Sequence, residues 1–150
     1  MEAAIKYCRS SGKVVVIGHS LGGRLALISS ADFAIGISPA LSTTFGEETA
    51  GILKNVRDYR VSEAFSGELW KVMKKLPIVN FDDHTKKSII YGSRDVPEII
   101  SSCNSLKTKD SSVKEIENAM HNDIFTLECT FQSVISKLKD YFSDRKGYDK

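Results

Sequence analysis

The sequence predicts an α/β fold of three layers, a short and mostly parallel sheet of about four strands with helices on both faces. Three observations predict it. Lys13-Val14-Val15-Val16-Ile17 has no polar break after its first residue, and Phe33-Ala34-Ile35-Gly36-Ile37 has none at all. Such runs suit strands buried on both faces of a parallel sheet. Between them Leu21, Leu25 and Ile28 recur at helical spacing, and a strand–helix–strand order implies a parallel pair with a right-handed crossover. Two more strand candidates, 86–92 and 112–117, are separated by a helix-like stretch over about 96–106.

Taken in order, residues 2 to about 10 read as a short helix ended by Gly12, which delivers the strand 13–17. Gly18-His19-Ser20-Leu21-Gly22-Gly23 follows at once, a G-x-S-x-G run in which strand changes to helix within a few residues. Glycines at 18 and 22 are expected where backbone segments crowd, and they let Ser20 adopt unfavourable angles. The plainer account of Ser20 is a helix cap. Ala31-Asp32 turns the chain into the strand 33–37, which Ser38-Pro39 closes.

Residues 40–85 form a helical, cap-like insertion within a single domain spanning 1–150. Its clearest piece sets Leu69, Val72, Met73 and Leu76 on one stripe, stopped by Pro77. That helix either packs on the sheet or lines an acyl pocket. Ile78-Val79-Asn80-Phe81 reads as a short extra strand. After the strand 86–92, the chain turns through Ser93-Arg94-Asp95 into the next helix. Ser112–Glu117 alternates apolar with charged residues, as an edge strand with one wet face does. A closing helix carries Ile124, Leu127, Phe131, Val134, Leu138 and Tyr141, with Asn122 or Asp123 available as its cap. Arg145–Lys150 is polar and expected to fray.

Composition narrows the function. Lys plus Arg is 21 against 19 for Asp plus Glu, a net charge of +2 that gives no reason to invoke nucleic acid or an anionic membrane. No apolar run approaches membrane-spanning length, and Met1–Arg9 lacks the pattern of a secretion signal, so a cytoplasmic protein is expected. Cys8, Cys103 and Cys129 match neither a metal pair nor a disulfide framework and read as reduced thiols in or near the core. No metal or organic cofactor is expected.

Acyl transfer needs a nucleophile, a base and a group to hold the base, gathered on one rim of the sheet. In open parallel sheets that rim lies at the carboxyl ends of the strands. Ser20 follows the first strand, Asp95 the third and His121 the fourth. Asp95 is also readable as an N-cap ahead of Val96-Pro97-Glu98, and His121 as a surface histidine. Asp82, Asp83 and His84 are rivals placed before the third strand, at its opposite end. His19 suits packing or loop fixing better than the role of base.

Through Gly18–Gly23, Tyr91-Gly92-Ser93-Arg94-Asp95 and Met120-His121-Asn122-Asp123 with the helix after it, the chain resembles the serine hydrolases of the α/β-hydrolase superfamily. The resemblance implies Ser20 as nucleophile, His121 as general base and acid, Asp95 as the residue fixing the imidazole tautomer, and the Leu21 N–H as an oxyanion donor. It implies a small-molecule acyl substrate, an ester or thioester, cleaved through an acyl-serine intermediate. The family also has four earlier strands and an earlier loop, often His-Gly, that gives a second oxyanion donor; no such segment stands in this sequence. Hence two expectations: a truncated form of a longer hydrolase, or a homodimer through the edge or face near Val14–Val16. A non-catalytic binding or interaction protein with an incomplete oxyanion hole is the alternative.

Overall fold

A computed structural model describes residues 1–60, 68–82, 85–107 and 112–143. The expected residues Asp83, His84 and Arg145–Lys150, and the side chains of Leu69 and Trp70, lie outside what is described.

Helix α1 (Glu2–Cys8) runs into a 3-10 turn at Arg9–Ser11, and Gly12 then takes a φ of 136° that only glycine adopts freely. Strand β1 (Val15–His19) leads into α2 (Leu21–Leu27) and β2 (Phe33–Ile37). The β2 boundaries are those predicted; β1 starts and ends two residues later than the apolar run. Asp32 ties the two strands at their amino ends, where its carboxylate accepts the Val14 N–H at 2.8 Å. Helices α3 (Glu47–Arg60) and α4 (Glu68–Lys75) come next, followed by β3 (Lys87–Gly92), α5 (Pro97–Ser105), β4 (Val113–Ile116) and α6 (Glu128–Ser143).

The four strands form one sheet in the order β1-β2-β3-β4, and every pairing is parallel. Leu27 of α2 and Ile99 and Cys103 of α5 pack on one face with Ala34, Ile89, Tyr91 and Val113. On the other, Tyr141, Val134 and Leu138 of α6 meet Phe33, Ile35, Ile37, Ile90 and Ile116. Phe33 and Tyr141 stack with ring centres 4.6 Å apart. Helices thus cover both faces, as a parallel sheet needs.

Several local expectations are corrected. Residues 78–81 are not a strand; Phe81 is buried in the core, but the Asn80 side chain takes the Asp82 N–H and holds the backbone in a turn. β4 is an edge, yet Val113 and Ile116 bury on opposite faces, so neither face is simply wet. The closing helix starts at Glu128 instead of near 124: Ile124–Thr126 is a 3-10 turn, Leu127 is extended, and Asp123 accepts the Met120 N–H instead of capping the helix. Phe131 is 50% exposed and Val72 52% exposed, while Met73 is buried. Of the thiols only Cys103 is buried; Cys8 and Cys129 are exposed, and all three are free.

The buried side of α2 also differs from its apolar stripe. Gly23, Arg24, Ala26 and Leu27 are buried, whereas Leu21, Leu25 and Ile28 are only half-buried. This helix lies against the sheet through Leu27 and is bound on another side to residues after β2 and α4. The fully buried Arg24 guanidinium donates to the carbonyls of Ser42, Leu76 and Pro77.

Candidate active site

Ser20 joins β1 to α2 with φ 57° and ψ −121°. A side chain in that region costs on the order of 1–3 kcal/mol and persists only where the surroundings impose it. Here they do: the Ser20 N–H donates to the Ile37 carbonyl at 2.9 Å, and its carbonyl accepts the N–H groups of Arg24 and Ala40 at 3.1 Å each. The glycines explain how the turn closes. A Cβ on Gly18 would lie 2.1 Å from the Gly22 carbonyl oxygen, and one on Gly23 would lie 3.0 Å from that of Gly18. Gly22 itself faces open space, so the crowded pair is 18 and 23 and not 18 and 22.

Asp95 and His121 reach the same rim from neighbouring loops. Gly92 ends β3 where a Cβ would lie 2.2 Å from the Ala119 carbonyl oxygen. That close approach lets the turn 93–95 brace the loop after β4: Ser93 N–H donates to Ile116, Arg94 N–H to Ala119, and the Ser93 hydroxyl accepts the Asn118 N–H. Asp95 is not the N-cap of α5, a position held by Val96. Its Oδ1 accepts the Val96 N–H at 2.7 Å and faces His121 Nδ1 at 2.8 Å. The other imidazole nitrogen, Nε2, lies 3.0 Å from Ser20 Oγ. Ser20 occupies the N-cap position of α2, but its hydroxyl makes no capping bond. Asp82 precedes β3, at the end remote from these three.

Electrostatics set the proton positions. Burial alone would raise the Asp95 carboxyl; the bond from His121, the nearby Ser38 hydroxyl, the His121 charge and the Val96 N–H outweigh it and hold the group below its ordinary value. An ionised carboxylate only accepts, so His121 Nδ1 carries the proton and Nε2 is free to accept the Ser20 hydroxyl. The Asp95 side chain is wholly shielded from solvent and that of His121 is 19% exposed. Leu21 opens α2, so its N–H has no acceptor within the helix.

His19 ties two of these loops together. His19 Nε2–H donates to the backbone carbonyl of His121 at 2.9 Å, and its ring lies 4.8 Å from both the His121 and Phe125 rings. Burial, then the His121 charge, push its pKa down. His19 is therefore a neutral loop-fixing residue, as its place beside the serine suggested. Among the described residues no group of three His, Cys, Asp or Glu side chains is placed to hold a metal. No described helix is long and apolar enough to cross a membrane.

No family model matches the chain, and no curated protein does. Solved structures do. A carboxylesterase of the ammonia-oxidizing thaumarchaeon Nitrososphaera gargenis superposes with a TM-score of 0.64 at 15% identity, over 95% of this chain and 71% of that one. MGS-MChE2, an alpha/beta hydrolase enzyme from the metagenome of lagoon sediments at Mar Chica, Morocco, gives 0.49 at 18% identity, over 94% and 68%. The first likeness establishes the architecture: the chain has an α/β-hydrolase-like fold.

Proposed function

We propose that the protein is a serine hydrolase that cleaves a small ester or thioester through an acyl-Ser20 intermediate. The observation that carries this reading is the continuous hydrogen-bonded line from Ser20 Oγ through His121 to Asp95, at 3.0 and 2.8 Å. Ser20 Oγ attacks the acyl carbon while its proton passes to His121 Nε2. The carbonyl oxygen becomes an oxyanion and takes the Leu21 N–H. As the intermediate collapses, the bond to the alcohol or thiol breaks, and His121 returns the proton to that leaving group. Water then attacks the acyl-serine, giving a proton to His121; the bond to Ser20 Oγ breaks, His121 returns that proton to Oγ, and the free acid leaves. Asp95 keeps Nδ1 protonated throughout and stabilises the imidazolium.

The insertion between β2 and β3 acts in this reading as a cap over the acyl group. Thr43, Thr44, Phe45, Ala50 and Lys74 line an open cavity of about 270 Å³. The loop contributing the first three begins at Ala40, which is bonded to the Ser20 carbonyl.

A fluorophosphonate probe tests the function. Labelling of the wild type that disappears in Ser20→Ala and His121→Ala supports it; a folded wild type that resists the probe favours a binding protein instead. Self-association is a second part of the proposal. β1 is an edge of the sheet among the described residues and Ile17 is 45% exposed, which leaves apolar surface for a second copy. A single monomeric mass at micromolar concentration would dismiss the dimer.

A further inference from the structure

Asp95 uses one oxygen twice and the other not at all. Oδ1 serves both the Val96 N–H and His121 Nδ1. Oδ2 is buried without a hydrogen bond of good geometry, and so is the Ser38 hydroxyl. A buried carboxylate oxygen left unpaired is costly, and a buried hydroxyl with no acceptor is costly too. The fold brings these two groups to one place. Ser38 follows β2 and Asp95 follows β3 on adjacent parallel strands, and the Ser38 N–H donates to Ile90 of β3 at 2.7 Å.

Ser38 is also an unexpected residue for its backbone. It is fully buried, with φ 44°, a left-handed conformation that glycine adopts freely and serine does not. Were only the turn required, glycine would serve better, so the hydroxyl needs a reason to be there.

We propose that Ser38 is a positioning residue for the proposed triad, its Oγ–H donating to Asp95 Oδ2 so that Oδ1 stays directed at His121. After burial and the His121 bond, the Ser38 hydroxyl is the next influence on the Asp95 carboxyl, and it favours the ionised form. The titratable groups sensing this carboxylate are His121, His19 and the Cys103 thiol of α5.

The inference rests on the serine-hydrolase reading, and the test separates the two. Ser38→Gly removes the hydroxyl while relaxing the backbone; Ser38→Ala removes it with the Cβ kept. Both should slow fluorophosphonate labelling roughly tenfold to a hundredfold, about what one bond to a charged group supplies. Loss of the donor makes Asp95 more basic, so the acid limb of the labelling rate should move to higher pH in both. The His121 imidazole resonances, followed by NMR, should titrate at higher pH in the same variants. Unchanged rate and unchanged titration would overturn the proposal, and so would loss of fold in either variant, which would make the hydroxyl structural. A wild type that resists the probe defeats only the hydrolase reading, because the imidazole titration still decides whether Ser38 acts on Asp95.

Discussion

His19 and His121 are bound to each other through the backbone: the ring N–H of the residue before the proposed nucleophile donates to the carbonyl of the proposed base at 2.9 Å. The loop bearing His121 is thereby tied to the elbow that holds Ser20. His19→Phe keeps an aromatic ring against His121 and Phe125 but removes the donor. Labelling of Ser20 should slow about two- to tenfold, in line with one neutral hydrogen bond, while the melting temperature changes little. A rate equal to wild type would reduce His19 to packing alone.

The same histidine sets the upper acid limit of stability. Burial and the His121 charge lower its folded-state pKa below the ordinary 6.5, so the unfolded chain takes up this proton first as pH falls. Its contribution is complete above about 6.5 and is lost as pH drops through the folded value. Asp95, also lowered, adds a second loss that begins only near its ordinary 3.8. Urea midpoints measured downward from neutral pH should fall in two stages in the wild type. In His19→Phe the first stage should flatten and the second remain.

The two motif glycines should respond oppositely to a methyl group. Gly18→Ala places a carbon 2.1 Å from the Gly22 carbonyl oxygen, which neither backbone can yield without opening the turn. Loss of labelling and a large fall in stability should follow. Gly22→Ala meets nothing within 4 Å, and in the first turn of α2 it should gain roughly 0.5–1 kcal/mol from reduced chain entropy. Thermal melts of the two variants against wild type check both.

Much of this site was legible because it depends on topology. Once 13–17, 33–37, 86–92 and 112–117 were read as parallel strands, the residues after their carboxyl ends had to share a rim, and Ser20, Asp95 and His121 are those residues. What escaped depends on packing across the chain. Periodicity gave α2 one apolar face, but the helix is enclosed on two sides, so a charged Arg24 is buried while Leu25 is not. Ile78–Phe81 has strand-like composition, yet Asn80 turns its backbone, so that Phe81 is buried in the core with Val79 only partly buried against it. Ser38 carried no motif, because its importance lies in a positive φ and a neighbour 57 residues along the chain.

Arg24 yields the last prediction. Its guanidinium is fully buried, and its described hydrogen bonds all go to carbonyls: Ser42 at 3.4 Å, Leu76 at 3.0 Å and Pro77 at 3.2 Å. Leu76 and Pro77 follow α4 directly, so the planar fork holds the negative end of that helix to α2, the helix that follows Ser20. Arg24→Met fills similar volume but leaves those carbonyls without their donor. It should destabilise the fold by roughly 2–3 kcal/mol, and Arg24→Lys, with a single compact charge, should recover only part of that. Denaturant titration gives the magnitudes. Proteolysis near Leu76 should rise in Arg24→Met even under native conditions, because the tether is local; equal cleavage in wild type and variant would mean that α4 is held by Met73 and its neighbours alone.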